Sequence, residues 1–139
     1  MAIDSAVPAA GRGVHTGAWV VQGLLAFAFG AAGAMKLGAP LDELTKNMAW
    51  IPHVPGWLVR VIGASEVLGA LGLILPSALR IKPVLTPIAA AALVLVMVLG
   101  AGTHVAIGEA ERIVVNVVLG GLAAFVAWAR FTKAPIAAK

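Results

Sequence analysis

A chain of 139 residues with 61% hydrophobic and only 12% charged side chains, at a mean hydropathy of +1.01, has more apolar surface than a soluble fold of that size can hide. Its solvent is therefore lipid, and the length suits one domain. The net charge of +4 is scattered over the ends of apolar runs, without a basic stripe or an aromatic platform, which argues against nucleic acid; the absence of cysteine excludes disulfide exchange, thiolate metal sites and iron–sulfur clusters on this chain alone.

Residues 1–17 are small, polar and Gly/Pro-containing and read as a flexible N-terminal arm, with His15 solvated. The first span is expected over 18–37, roughly 30 Å as a helix and so the thickness of a hydrocarbon core. Gly23, Gly30 and Gly33 give it small-residue faces, and Gln22 is its one polar residue before Lys36. The connector 38–56 holds a short helix over 40–49, with Pro40 at its first turn and Asp42 and Glu43 at its positive end. Its apolar face of Leu41, Leu44 and Met48 predicts an interfacial helix on the membrane or folded back into it. The second span runs over 57–75 with Pro76 closing it, the third over 83–104, and the fourth over 109–129. Arg130 and Lys133 end the fourth span, and 134–139 form a tail.

Four spans with short turns predict an all-α fold, an integral membrane antiparallel four-helix bundle in one domain over 18–133. Arg12, Arg80, Lys82, Arg130, Lys133 and Lys139 fall on the side of the termini, against Lys36, Lys46, Arg60 and Arg112 opposite. The positive-inside rule then places both termini in the cytoplasm.

Chemistry follows depth. Glu66 lies about 13 Å below the outer end of the second span, and Asn116 about 10 Å deeper than Glu109. Lys36, Glu66, His104, Arg112 and Asn116 thus share the half of the membrane away from the termini and predict a small polar pocket open to that side. Glu66 is the candidate catalytic, proton-handling group, because a carboxylate in a lipid-facing chain is costly unless it meets a partner or water. Lys36, His104 or Arg112 could supply the cation. Bland alternatives stand beside each reading. Glu66 and Asn116 could simply bond helices together, Lys36 could snorkel, and Arg60 and Arg112 could anchor at the interface. His104 could cap its helix, His53 belongs to a loop, and Ser65 is small packing. The histidines at 15, 53 and 104 do not pair across the membrane, and neither a metal motif nor a nucleotide fingerprint is present.

The stretches Phe29-Gly-Ala-Ala-Gly-Ala-Met-Lys-Leu37, Ile62-Gly-Ala-Ser-Glu-Val-Leu-Gly-Ala-Leu-Gly-Leu-Ile-Leu-Pro76 and Thr86-Pro-Ile-Ala-Ala90, with His104 and Arg130, carry a resemblance. With them the chain resembles the DoxX-like family of small four-helix bacterial membrane proteins, from about Phe27 to Arg130. That resemblance implies residence in the bacterial inner membrane and likeness to a subunit of an archaeal thiosulfate:quinone oxidoreductase. The family's recurrent polar positions would fall on Lys36, Glu66 and His104. The expected function is an accessory or quinone-linked oxidoreductase subunit, with quinone as the one candidate cofactor. The alternative is a structural subunit that stabilises a larger membrane complex. Expected partners are the lipid bilayer and either membrane-complex proteins or further copies of the chain.

Overall fold

A computed structural model of the protein describes residues 9–139. The helices are α1 (Ala9–Gly38), α2 (Leu41–Thr45), α3 (Gly56–Leu79), α4 (Leu85–Ala106) and α5 (Ile113–Trp128), with 3-10 turns at Ile51–His53 and Ala110–Arg112 and a π-helical turn at Ala129–Lys133. Strands are absent among the described residues. Four helices are long and apolar enough to cross a membrane. Their lipid faces carry large exposed apolar side chains, among them Leu24, Phe27, Leu68, Val98, Leu99 and Val117. The expected all-α membrane bundle is therefore what the chain forms.

Contacts fix the arrangement. Gly30 meets Ala70 and Gly33 meets Gly63, so residue numbers rise along α1 as they fall along α3. Gly69 against Leu93 and Gly72 against Ala89 do the same for α3 and α4, and Gly100 against Asn116 and Gly120 against Met97 for α4 and α5. The middle of the bundle is apolar: Leu25, Phe29, Leu73, Leu93, Ala123 and Val126 form its buried core. A second cluster of Leu44, Ile51 and Val59 folds the connector onto the start of α3. In burying Leu44, α2 uses the apolar face read from the sequence.

Two boundaries differ from expectation. Helix α1 starts at Ala9 rather than residue 18, because Ala9 and Ala10 are good helix formers and His15 on the added turns contacts Arg130. The rest of the expected arm, residues 1–8, lies outside the described residues. Helix α3 passes through Pro76 and ends at Leu79, with Arg80 in the left-handed region (φ 56°) as its cap. A proline removes the hydrogen bond to the carbonyl four residues back, here Gly72. Thr86 Oγ1 replaces it by donating to Gly72 O at 2.9 Å, and Ser77 Oγ donates to Thr86 Oγ1 at 2.7 Å. Both hydroxyls are buried. Thr86→Val keeps the shape and leaves that carbonyl and Ser77 short of partners, so it should cost about 1–3 kcal/mol, read as a lower melting temperature in detergent micelles.

The C-terminal tail is tied to the same turn. Arg80 Nε donates to Ala137 O at 2.8 Å, and Lys139 N donates to Arg80 O at 3.1 Å.

Candidate functional site

The site begins with two glycines. A Cβ on Gly33 would lie 2.6 Å from Gly63 O, and a Cβ on Gly63 would lie 2.8 Å from Gly33 O, so α1 and α3 touch backbone to backbone there. Three residues beyond each glycine, on the same helix face, stands a charged residue: Lys36 on α1 and Glu66 on α3. The close crossing brings them together inside the bundle. Lys36 Nζ lies 2.8 Å from Glu66 Oε1, with side-chain exposures of 10% and 4%.

That contact is a buried ion pair at hydrogen-bond distance. Charge neutrality is met while acceptor capacity on the carboxylate is left over. The helix end carrying Lys36 is held from the other side: Arg60 donates through one nitrogen to Lys36 O and Ala39 O, each at 2.7 Å. Arg60, expected as an interfacial anchor, also caps carbonyls at and just beyond the end of α1, where the helix supplies no partners.

The five residues expected to share a pocket sort into three groups. Lys36 and Glu66 pair. His104 and Arg112 both turn to Glu109, with His104 Nδ1 at 3.2 Å from Oε2 and Arg112 Nε at 3.3 Å from Oε1. Asn116 donates to Met97 O at 3.3 Å and so ties α5 to α4. The register of α3 on α4 explains the separation. With Gly69 level with Leu93 and Gly72 with Ala89, Glu66 is level with about Met97, and His104 lies roughly 10 Å nearer the membrane surface. Depth along a helix, used alone, merges residues that azimuth and register keep apart. Glu109 is the member of the second group that the sequence reading left out of the site. Its signal was available, since the turn at Gly108 (φ 82°) folds a carboxylate back toward a histidine five positions earlier.

A second buried polar layer lies in the half of the bundle nearer the termini. Arg130, 3% exposed, donates from Nε to Gln22 Oε1 at 2.7 Å, and its terminal nitrogens contact His15 Nδ1 at 2.9 Å and Ala134 O at 2.8 Å. Its guanidinium carbon stands 5.4 Å from the Trp19 ring centroid. Gln22, fully buried, passes the chain on by donating to Leu73 O at 2.6 Å. His15 is exposed, as expected, and through its contact with Arg130 it also joins the start of α1 to the end of the bundle. Gln22 and Arg130 are 108 positions apart, a separation that helical spacing cannot bridge. Ser65, read as small packing, is exposed and donates to its own helix at Val61 O, 2.9 Å away. Among the described residues, no group of three or more His, Asp or Glu side chains is placed to hold a metal.

The model of the DoxX-like family matches residues 20–126, which take in α3 and α4 entire, both halves of the Lys36–Glu66 pair and the His104–Glu109–Arg112 group. No curated protein and no solved structure matches the chain.

Proposed function

The chain belongs to the DoxX-like family, and from that premise we propose that it is an accessory, quinone-linked oxidoreductase subunit of the bacterial inner membrane in which the Lys36–Glu66 pair handles protons. The carrying observation is the Lys36–Glu66 pair buried inside the bundle. Two charges taken out of water are a poor way to stabilise a bundle, since apolar residues of similar volume generally do as well or better. Their retention in a membrane span therefore speaks for use. Glu66 is the group that gains and loses the proton; Lys36, slightly more exposed, balances its charge toward the side away from the termini.

The accessory role rests on what the bundle leaves uncovered. Helices α4 and α5 bury the least of their spans, 22% and 17%, against 33% for α3. That face is open to a catalytic partner as well as to lipid. A position with both termini in the cytoplasm follows from the basic residues on their side, of which Arg80 and Arg130 are fixed by hydrogen bonds. A carrier or channel fits poorly, because the apolar core of Leu25, Phe29, Leu73 and Leu93 separates the two polar layers.

Glu66→Gln tests the proposal. It keeps the side-chain shape and removes the titrating carboxylate. In membranes carrying equal amounts of either protein, quinone-pool-linked oxidoreduction should fall at least about tenfold in the variant, within the range that one proton-transferring group supplies. Undiminished turnover would remove Glu66 from the reaction.

A further inference from the structure

We propose that His15 and Arg130 form an acid-released latch, which holds the first turns of α1 on the bundle at neutral pH and lets them go when His15 takes up a proton. The latch uses groups that the Lys36–Glu66 reading leaves aside, in the opposite half of the membrane, so neither depends on the other.

The contact fixes its own proton. Arg130 Nη1 lies 2.9 Å from His15 Nδ1. A guanidinium only donates and keeps its charge, so Nδ1 accepts and carries no hydrogen while the latch is closed. Protonation there sets N–H against N–H and a second cation beside the first. Arg130 is the member that stays in place. It is 3% exposed, donates to Gln22 Oε1 at 2.7 Å and to Ala134 O at 2.8 Å, and stands over the Trp19 ring. His15 is exposed and can swing into water. As a helix, residues 18–38 already reach about 30 Å, the thickness of a hydrocarbon core, so the turns carrying His15 stand beyond it within reach of aqueous protons.

Packing and propensity hold those turns weakly. No residue from 11 to 17 is buried, whereas Ala18 is. Gly11, Gly13 and Gly17 are poor helix formers. The surrounding charges are basic. Arg12 precedes His15 by one turn of α1, and Lys133 follows Arg130 on the π-helical turn. Arg80 and Lys82, between α3 and α4, and Lys139 of the tail lie on the same side of the bundle, and α5 has no titratable side chain. The described carboxylates, Asp42, Glu43, Glu66, Glu109 and Glu111, belong to the other half. Among the described residues, then, no anion is at hand to keep an imidazolium beside Arg130. The open form binds the proton with ordinary histidine affinity, at about pH 6.5, and the closed form cannot bind it at Nδ1 without breaking the bond. Falling pH therefore draws the equilibrium toward the open form, by up to about thirtyfold at about pH 5.

The chain lacks cysteine, so a single introduced cysteine takes a single nitroxide label. A Cβ on Gly13 or on Gly23 would meet nothing within 4 Å, so both accept one. A label at Gly13→Cys reports the latched turns, and one at Gly23→Cys the bundle behind them. In electron paramagnetic resonance spectra of the full chain in phosphatidylcholine nanodiscs, the ratio of mobile to immobile signal at position 13 should rise at least about fivefold from about pH 7.5 to about pH 5. The signal at position 23 should stay unchanged. His15→Asn puts an acceptor that does not titrate near the place of Nδ1, and should keep the ratio low at both pH values. His15→Phe removes the acceptor and should keep it high at both. An unchanged ratio in the wild-type background, or an equal acid response in His15→Asn, overturns the latch. So does an immobile label at position 13 in His15→Phe, which would show the turns held without His15. Equal responses at positions 13 and 23 would be unfolding of the bundle and overturn it too.

Discussion

Glu66→Ala is expected to lower the stability of the bundle by about 3–5 kcal/mol, because it strands the Lys36 ammonium inside without its anion. Lys36 is 8% exposed and Glu66 3%, so neither charge can be left alone without being moved to water. Lys36 sits beside Gly63, where its Cβ packs at the closest point of α1 and α3. Turning its ammonium outward would disturb that contact as well. Lys36→Met in the same background should recover most of the loss, since methionine keeps the unbranched stem and carries no charge. Unfolding in mixed micelles on increasing dodecyl sulfate measures both. The single variant should unfold at clearly lower denaturant and the double variant close to wild type. Equal losses in both would mean that the pair contributes to the fold through packing alone.

Gly63→Val is expected to do comparable damage by a different route, about 3 kcal/mol or more. A Cβ there falls 2.7 Å from Lys36 Cβ, 2.8 Å from Gly33 O and 3.1 Å from Leu37 N. Two of those atoms are backbone and cannot swing aside, so the helices must separate. Separation loosens the pair one turn away and draws Arg60 from the carbonyls of Lys36 and Ala39, both now 2.7 Å from it. Gly121→Val, on the lipid side with open space above it, should be close to neutral by comparison. Melting temperatures of the two variants in one detergent check the contrast. Similar small shifts for both would mean that the α1–α3 crossing relaxes easily.

Apolar runs of span length, broken by Pro40, Pro55 and the turn near Gly108, made the four helices and their order legible in the sequence, since lipid leaves the backbone little other choice. The pairing of Lys36 with Glu66 was legible as shared depth. Azimuth was not, because in a helix exposed to lipid both faces are apolar and the pattern that marks a buried face in soluble proteins fades. Hence His104, Arg112 and Asn116 were grouped with Glu66, although His104 and Arg112 turn to Glu109 nearer the surface and Asn116, at a similar depth, bonds α4 at Met97 O. Pro76 read as a terminator because the donors that let α3 continue, Thr86 and Ser77, act through tertiary contacts. The knot of His15, Gln22 and Arg130 was hidden for the same reason.

The two polar layers have different standing. Arg130 and Gln22 have hydrogen-bond partners in good geometry, and their layer is explained by the closure of the bundle. Glu66 meets the Lys36 ammonium at 2.8 Å, and a carboxylate can accept more than one lysine gives it. A buried carboxylate balanced by a single lysine, with acceptor sites to spare, suits proton handling better than it suits helix closure.

The double variant Lys36→Met/Glu66→Met separates those meanings most directly. Its unfolding midpoint and its quinone-linked turnover are measured on the same preparation. Wild-type stability with turnover lost is the predicted result; wild-type stability with turnover retained would contradict a functional role for the pair.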